Sequence, residues 1–237
     1  MISATLLLSV MVLNAIMETQ KFDQVWFNSR AVAESVKTES WAFMMKVKPY
    51  DGTIPDSQAQ GHLLENIKGI LHRQQSVASE LPSQSQEGTM ITKHMRQIRN
   101  RTLEDRRDYY VQNRIHDQKE WYAARAKWSK DQEFRWSILA WILQGGALTT
   151  AIFAVGFGEL VINPVGVLTT AAAGVLTWTN ARDYRKSSQS YGLVCQELAL
   201  LEDSAKEVST EERLEDIVLD TERTISREHS MWLARRM

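Results

Sequence analysis

Residues 137–181 read SILAWILQGGALTTAIFAVGFGELVINPVGVLTTAAAGVLTWTNA, and Glu159 is the only ionisable side chain among them. Glu159, Asn163 and Pro164 divide the stretch into two apolar segments, 137–157 and 160–179. As a helix, each segment is about 30 Å long, the thickness of the hydrocarbon core of a bilayer. Two buried helices of a soluble bundle are the alternative, but such helices normally keep a polar stripe. The stretch therefore predicts a transmembrane helical hairpin, 137–179, with a very short turn.

Basic residues lie on both outer flanks of this hairpin and are absent from its turn. The positive-inside rule then places both ends in the cytoplasm and the turn outside, in a multi-pass membrane protein whose bulk is cytoplasmic. Trp136 and Trp141 open the first span and Trp178 closes the second, as expected of an interfacial aromatic belt. The flanking cations are Arg125, Lys127, Lys130 and Arg135 before the hairpin and Arg182, Arg185 and Lys186 after it.

Small residues recur at every fourth position in both spans, a spacing that permits close approach of helices. The spans also contain threonines, whose hydroxyls either bond to a preceding carbonyl of the same helix or contribute to a weakly polar lumen. A single hairpin cannot enclose a pore, so a pore requires an oligomer. The candidate packing or pore residues are Gly146, Thr150, Ala154, Gly158, Gly166, Thr170 and Gly174.

A second apolar segment, residues 1–17, contains no charged side chain. It lacks the basic start and the small-residue cleavage site of a secretory signal, and it is slightly short for a membrane span. Two alternatives stay open: a single membrane helix, or the second half of an earlier hairpin.

The rest of the chain is predicted to be all-α, because no useful stretch alternates with period two. Residues 18–52 form a first helical segment that ends at Pro49–Gly52, residues 53–92 a helical and linker region, and residues 180–237 the C-terminal helices. An N-cap at Ser209 or Thr210, followed by Glu211 and Glu212, is predicted to split the C-terminal region into two helices.

Opposite charges are collected in separate segments, which is why the net charge is only −1. Residues 93–136, predicted as a basic juxtamembrane helix, contain twelve Lys and Arg against seven Asp and Glu; residues 197–223 contain ten acids against three bases. Mutual packing is the favoured interpretation. The alternative is attraction of the basic segment to anionic lipid or to a phosphate-bearing ligand contacting Arg101, Arg106 and Arg107.

Signatures of catalysis are absent from the sequence. No phosphate-binding glycine loop, nucleophile elbow or metal-ligand spacing occurs, the five histidines are scattered, and the single cysteine excludes a disulfide scaffold. We therefore expect no enzymatic activity, no metal and no cofactor. The near-neutral net charge argues against nucleic acid as a partner.

Aromatic and charged residues surround the hairpin, among them Tyr110, Arg114, Trp121, Tyr122 and Trp232. With these residues, the second half of the chain resembles the SLATT family of prokaryotic two-transmembrane effectors. The resemblance spans roughly Asp105–Met237, where aromatic and charged residues surround the hairpin. The first part, with Trp26, Arg30, Trp41 and Pro49-Tyr50, is similar to the cytoplasmic tail of a second SLATT subtype that precedes this one in tandem proteins. The motif positions carrying the main resemblance are Tyr110, Arg114, Asp117, Gln118, Trp121, Tyr122 and Trp232.

The resemblance implies a role rather than a reaction. SLATT proteins are associated with bacterial conflict and antiphage systems, beside nucleotide second-messenger synthases or nucleotide-sensing domains, and are thought to oligomerise and permeabilise the inner membrane. The implied partners are membrane lipid, further copies of the chain, and a cyclic nucleotide or a nucleotide-sensing protein. The alternative function is a membrane-anchored scaffold or sensor that positions a partner without forming a pore.

Overall fold

A computed structural model describes residues 22–73, 89–157 and 164–234, and every regular element in these ranges is helical. The predicted all-α class is confirmed. The apolar segment 1–17 lies outside the described residues. The helices are α1 (Phe22–Met45), α2 (Asp56–Arg73), α3 (Lys93–Arg99), α4 (Leu103–Tyr110), a π-helical segment (Val111–His116), α5 (Asp117–Phe157), α6 (Pro164–Arg182), α7 (Tyr184–Ala205) and α8 (Glu211–Ala234).

Threonine caps decide where two of these helices begin. The hydroxyls of Thr102 and Thr210 each accept a hydrogen bond from the backbone amide three residues later, at 3.2 and 3.3 Å. The cap at Thr210 confirms the predicted split of the C-terminal region. The cap at Thr102 starts a new helix inside 93–136, which was predicted as one helix because it lacks Pro and Gly. A capping oxygen satisfies the first free amides, so a helix can restart without either residue.

The chain divides into two compact units, one formed by Met1–Val111 with Ser204–Met237 and the other by Gln112–Asp203. In the first unit α1 is central and contacts α2, α3, α4 and α8. Its core is built where the C-terminal end of α1 meets these helices. The fully or almost fully buried apolar side chains there include Phe43, Met45, Leu63, Ile98, Leu214 and Val218.

Two buried arginines hold the turn that follows α1. The Arg99 guanidinium, 2% exposed, donates to the carbonyl oxygens of Phe43 at 2.8 Å and Tyr50 at 2.7 Å and pairs with Asp56 at 2.9 Å. Arg106, 1% exposed, donates to the Met45 carbonyl at 2.7 Å and pairs with Glu211. Carbonyls at a helix C-terminus lack intrahelical donors and carry partial negative charge. Both guanidiniums therefore offset the partial negative charge at the C-terminal end of α1 and supply donors for its free carbonyls.

In the second unit, α5 packs antiparallel on α6 and its buried side chains recur every seven residues. Ile115, Tyr122 and Ser129 form one row, with exposures of 0, 0 and 1%, and Ala140 and Ala147 lie seven apart on the same face. A seven-residue repeat keeps one face of a helix turned toward its partner along a left-handed pair. We call these five residues, of which Ile115 lies in the π-helical segment and the other four in α5, the seam.

Near the start of α5, a carboxylate from α7 contacts one lysine and one histidine. Glu202 accepts hydrogen bonds from Lys119 Nζ and from a ring nitrogen of His116, the latter at 3.0 Å. Burial raises the pKa of Glu202, but these hydrogen bonds outweigh it and hold the pKa below the ordinary 4.5. Together with the Arg106–Glu211 pair, this contact confirms that acidic C-terminal residues pack on residues of the basic segment.

We predict that Arg99→Met lowers the free energy of opening of α1 by about 3 kcal/mol, because two buried carbonyls lose their donor. Hydrogen exchange of the full chain in detergent, read by mass spectrometry on peptides from α1, measures this opening. Arg101→Met is the matched control, since Arg101 is exposed. Equal protection of α1 in both variants would show that Arg99 does not hold the turn.

We predict that Glu202→Gln lowers the thermal midpoint of the full chain at pH 7 by about 2–4 °C, corresponding to about 1 kcal/mol. Because the folded pKa lies below 4.5, the carboxylate contributes fully above about pH 4.5, and this contribution is lost as the pH falls through the folded value. The two proteins should therefore converge on acidification. Glu207→Gln, at an exposed position, is the control; a gap between wild type and Glu202→Gln that stays constant down to acid pH contradicts the prediction.

Candidate functional site: the apolar helical hairpin

The hairpin contains the candidate membrane span of the described residues. One helix, Leu103–Gly156, is long and apolar enough to cross a membrane by length and composition, and only 11% of its apolar window is buried. The core helix of a soluble protein would be mostly buried. Its partner α6 has 19 residues, with Arg182 as its only charged side chain. The first four residues of the predicted second span, 160–163, and the turn residue Glu159 lie outside the described residues.

Small side chains fill the space between α5 and α6. Ala140 and Ala147 of the seam are 2 and 5% exposed, and Ala172 of α6 is 3% exposed. A Cβ atom added to Gly146 would lie 3.6 Å from Leu168 Cδ1, an ordinary van der Waals distance. The large apolar side chains instead point outward, with Trp141, Ile142 and Val155 between 64 and 90% exposed. The interior of the hairpin is thus closed, and its outside is strongly apolar.

The two predicted small-residue stripes do not face each other. On α5, Gly146, Thr150 and Ala154 are half-buried on the side that carries the seam. On α6, Gly166, Thr170 and Gly174 are exposed, and a Cβ atom on Gly174 would meet nothing within 4 Å. Thr170 and Ala172 are two residues apart, about 200° around the helix, so this stripe lies opposite the face that meets α5. Gly158 lies outside the described residues.

The span threonines bond to their own helices. Thr150 Oγ1 lies 3.0 Å from the Gly146 carbonyl oxygen, and Thr170 Oγ1 lies 2.8 Å from that of Gly166. Thr149, Thr169 and Thr179 make the same type of bond. The first of the two interpretations of these hydroxyls is confirmed for these five residues.

Aromatic rings close the open end of the hairpin. The Trp136 and Trp178 rings lie 6.3 Å apart, and Trp141 is 67% exposed one turn deeper. Two arginine–indole pairs, which sequence reasoning did not identify, lie near them: Arg182 is 4.6 Å from the Trp178 ring and Arg125 is 4.1 Å from the Trp128 ring. Their signal in the sequence is the spacing of four and three residues, which places both members on one helix face.

The three arginines proposed as phosphate contacts have different surroundings. Arg101 is exposed, with its guanidinium 5.4 Å from the Tyr109 ring. Arg106 is buried against Glu211 and the Met45 carbonyl. Arg107 pairs with Asp108 at 2.8 Å and donates to the Val208 carbonyl at 2.9 Å. Two of the three therefore bond to protein acceptors, and ligand binding by this set stays a prediction.

The motif positions of the family resemblance are largely packing residues. Tyr110 is fully buried and donates to Glu222 at 3.1 Å, and Arg114 is 3% exposed. Trp121 and Tyr122 contact each other and Tyr191, with ring centroids 4.9–5.9 Å apart. Asp117 lies exposed in the first turn of α5 and Gln118 is half-buried. The side chain of Trp232 lies outside the described residues.

Within the described ranges, no group of three or more His, Cys, Asp or Glu residues could hold a metal ion. The chemically distinctive features there are the closed apolar hairpin, its aromatic end and the arginines around it.

Comparison with known families identifies both halves of the chain. The model of the SMODS and SLOG-associating 2TM effector domain 1 matches residues 110–232, and that of the SMODS and SLOG-associating 2TM effector domain 3 matches residues 1–107. Curated proteins and solved structures gave no match. The apolar hairpin and the packed motif residues lie inside the first matched range, and the arginine-held turn lies inside the second. The chain belongs to the SLATT family of membrane-associated effector domains, with two SLATT domains in tandem.

Proposed function

We propose that this protein is an effector that oligomerises in the bacterial inner membrane and permeabilises it in a nucleotide-signalled antiphage or conflict system. The observation that carries the proposal is the long apolar helix whose window is only 11% buried. Such a helix needs lipid or further copies of the chain around it. The effect is physical and requires no chemical step, so the protein acts without being an enzyme.

The closed interior of the hairpin supports oligomerisation. Alanines fill the contact between α5 and α6, and five threonine hydroxyls bond to carbonyls of their own helices. Within the described residues, the contact between α5 and α6 therefore leaves no room for a water path, and these five hydroxyls are not free to line one. A path must form between hairpins, and the exposed stripe of Gly166, Thr170 and Gly174 offers a surface for close helix contact between copies.

The charge distribution supports the proposed topology. The outer flanks of the hairpin carry seven cations, and the segment between its two spans carries none. In a multi-pass arrangement both flanks face the cytoplasm, together with the helical unit formed by α1–α4 and α8. The lipid-facing surface is then the outer face of the hairpin.

The activating signal comes from outside the hairpin. The matching families are described as associating with SMODS and SLOG domains, and the family resemblance connects such domains with nucleotide second messengers. We place a cyclic nucleotide or a nucleotide-sensing protein upstream of this effector.

We predict that Gly174→Leu abolishes depolarisation while the hairpin still folds and inserts. A Cβ atom at this position would meet nothing within 4 Å, and the new side chain occupies the surface offered to the next copy. Gly156→Leu is the matched control, because Gly156 is also open but lies outside the stripe. Membrane potential is measured with a potential-sensitive dye after induced expression, and cross-linking in membranes reports the oligomer.

Wild type and Gly156→Leu should depolarise cells and give the same cross-linked species, which Gly174→Leu should lack. A wild-type protein that leaves the potential intact under the activating signal contradicts the proposal. Retained function after replacing the hairpin with an unrelated anchor would favour the scaffold.

A further inference from the structure

An arginine and a tryptophan form a compact surface feature where α6 ends. The Arg182 guanidinium carbon lies 4.6 Å from the centre of the Trp178 ring, and that ring contacts Trp136 of α5 at 6.3 Å. Trp178 is 43% exposed, and Arg182 is exposed in the last turn of α6. The indole is thus fixed on its inner side by Trp136 and holds the arginine at the surface.

The charge of Arg182 is not neutralised by the chain. Among the described residues, its guanidinium has no ion pair, and the neighbouring carboxylate, Asp183, pairs with Lys186 at 2.8 Å. A guanidinium stacked on a ring keeps its N–H groups in its own plane, directed away from the ring. These donors are free for an anionic acceptor, and the planar fork matches the oxygens of a phosphate group.

We propose that Trp178 and Arg182 form a binding site for the headgroup phosphate of an anionic phospholipid. The inference rests on the membrane placement in the proposed function, but not on permeabilisation. The Trp178 ring marks the end of the span and sits at the boundary between acyl chains and headgroups, where tryptophan is enriched. Arg182 lies over this ring and is therefore at the depth of the lipid phosphates.

Charge complementarity favours an anionic lipid over a zwitterionic one. Arg135 and Arg185 lie close in sequence to the two outer ends of the hairpin, and both are exposed. Each cation near a membrane surface strengthens attraction to anionic lipid, by about fivefold in affinity. A zwitterionic headgroup supplies the same phosphate but brings its own ammonium group into this positive region.

The pair of Arg125 and Trp128 provides an internal comparison. Its guanidinium carbon lies at a similar distance from its ring, 4.1 Å, and Trp128 is 42% exposed. Trp128 is eight residues before Trp136, about 12 Å along the helix. The headgroup layer of one leaflet is only about 5–7 Å thick. Arg125 therefore lies beyond the phosphates and should not bind the lipid.

The test measures lipid binding by the full chain in detergent, by native mass spectrometry with added phosphatidylglycerol or phosphatidylcholine. Wild type should retain phosphatidylglycerol in preference to phosphatidylcholine. Arg182→Gln should weaken phosphatidylglycerol binding about fivefold, whereas Arg125→Gln should change it less than twofold. Thermal midpoints without lipid verify that both variants are folded.

Equal retention of the two lipids by wild type overturns the proposal, as does unchanged phosphatidylglycerol binding in Arg182→Gln. Competition by inorganic phosphate at constant ionic strength, to the same extent as by phosphatidylglycerol, also overturns it, since the site would then bind a free anion. None of these readouts involves leakage. Failure of the lipid site therefore leaves the permeabilisation proposal standing, and the absence of depolarisation leaves the lipid site standing.

Discussion

The packing of α5 on α6 through small side chains is the interaction on which the rest of the hairpin depends. Ala140, Ala147 and Ala172 are 2–5% exposed and let the two helices pack closely along this face. The large apolar side chains are therefore outside, as Trp141 and Val155 illustrate at 67 and 90% exposure. In water such a surface would drive association, because soluble proteins rarely expose apolar patches of this extent. Membrane association, a property of the family, thus follows from the size of the seam side chains.

N-terminal to the apolar segment, the seam keeps its seven-residue spacing but contains aromatic and polar side chains instead of alanines. Tyr122 and Ser129 occupy it there, and Lys119 meets Glu202 nearby. A polar contact is tolerated in this region, because water solvates the lysine and the carboxylate when they are unpaired. The hydrophobic effect stabilises the aromatic side chains beside this contact. Aromatic contacts join α5 to its neighbours, Tyr122 to Tyr191 of α7 and Trp136 to Trp178 of α6. The same seven-residue spacing therefore occurs in the apolar part of α5 and in its polar part.

Features that depend on local pattern could be predicted from the sequence, and features that depend on distant partners could not. The hairpin, the Thr210 cap and the bonding of the threonine hydroxyls each follow from residues within one helical turn or one apolar run. The role of Arg99 does not, because its carbonyl acceptors are 56 and 49 residues away. The opposite orientations of the two small-residue stripes also escaped prediction, since spacing fixes a stripe on its own helix but not its rotation toward the next one. The Arg182–Trp178 pair could have been predicted from its spacing of four residues.

The seam also restricts how a water path could form. Separating α5 from α6 would not free the hydroxyl donors of Thr149, Thr150, Thr169 and Thr170, because each bonds to a carbonyl of its own helix. The outward stripe of α6 suits close helix contact, because the hydroxyl of Thr170 already bonds to a carbonyl of its own helix. Gln144 differs: it is exposed on α5, and within the described residues its amide has no hydrogen-bond partner. An amide in hydrocarbon without a partner costs several kcal/mol. In the proposed membrane placement, the outward face of α5 that carries Gln144 would then need another copy or water beside it, whereas the stripe of α6 would need only a helix.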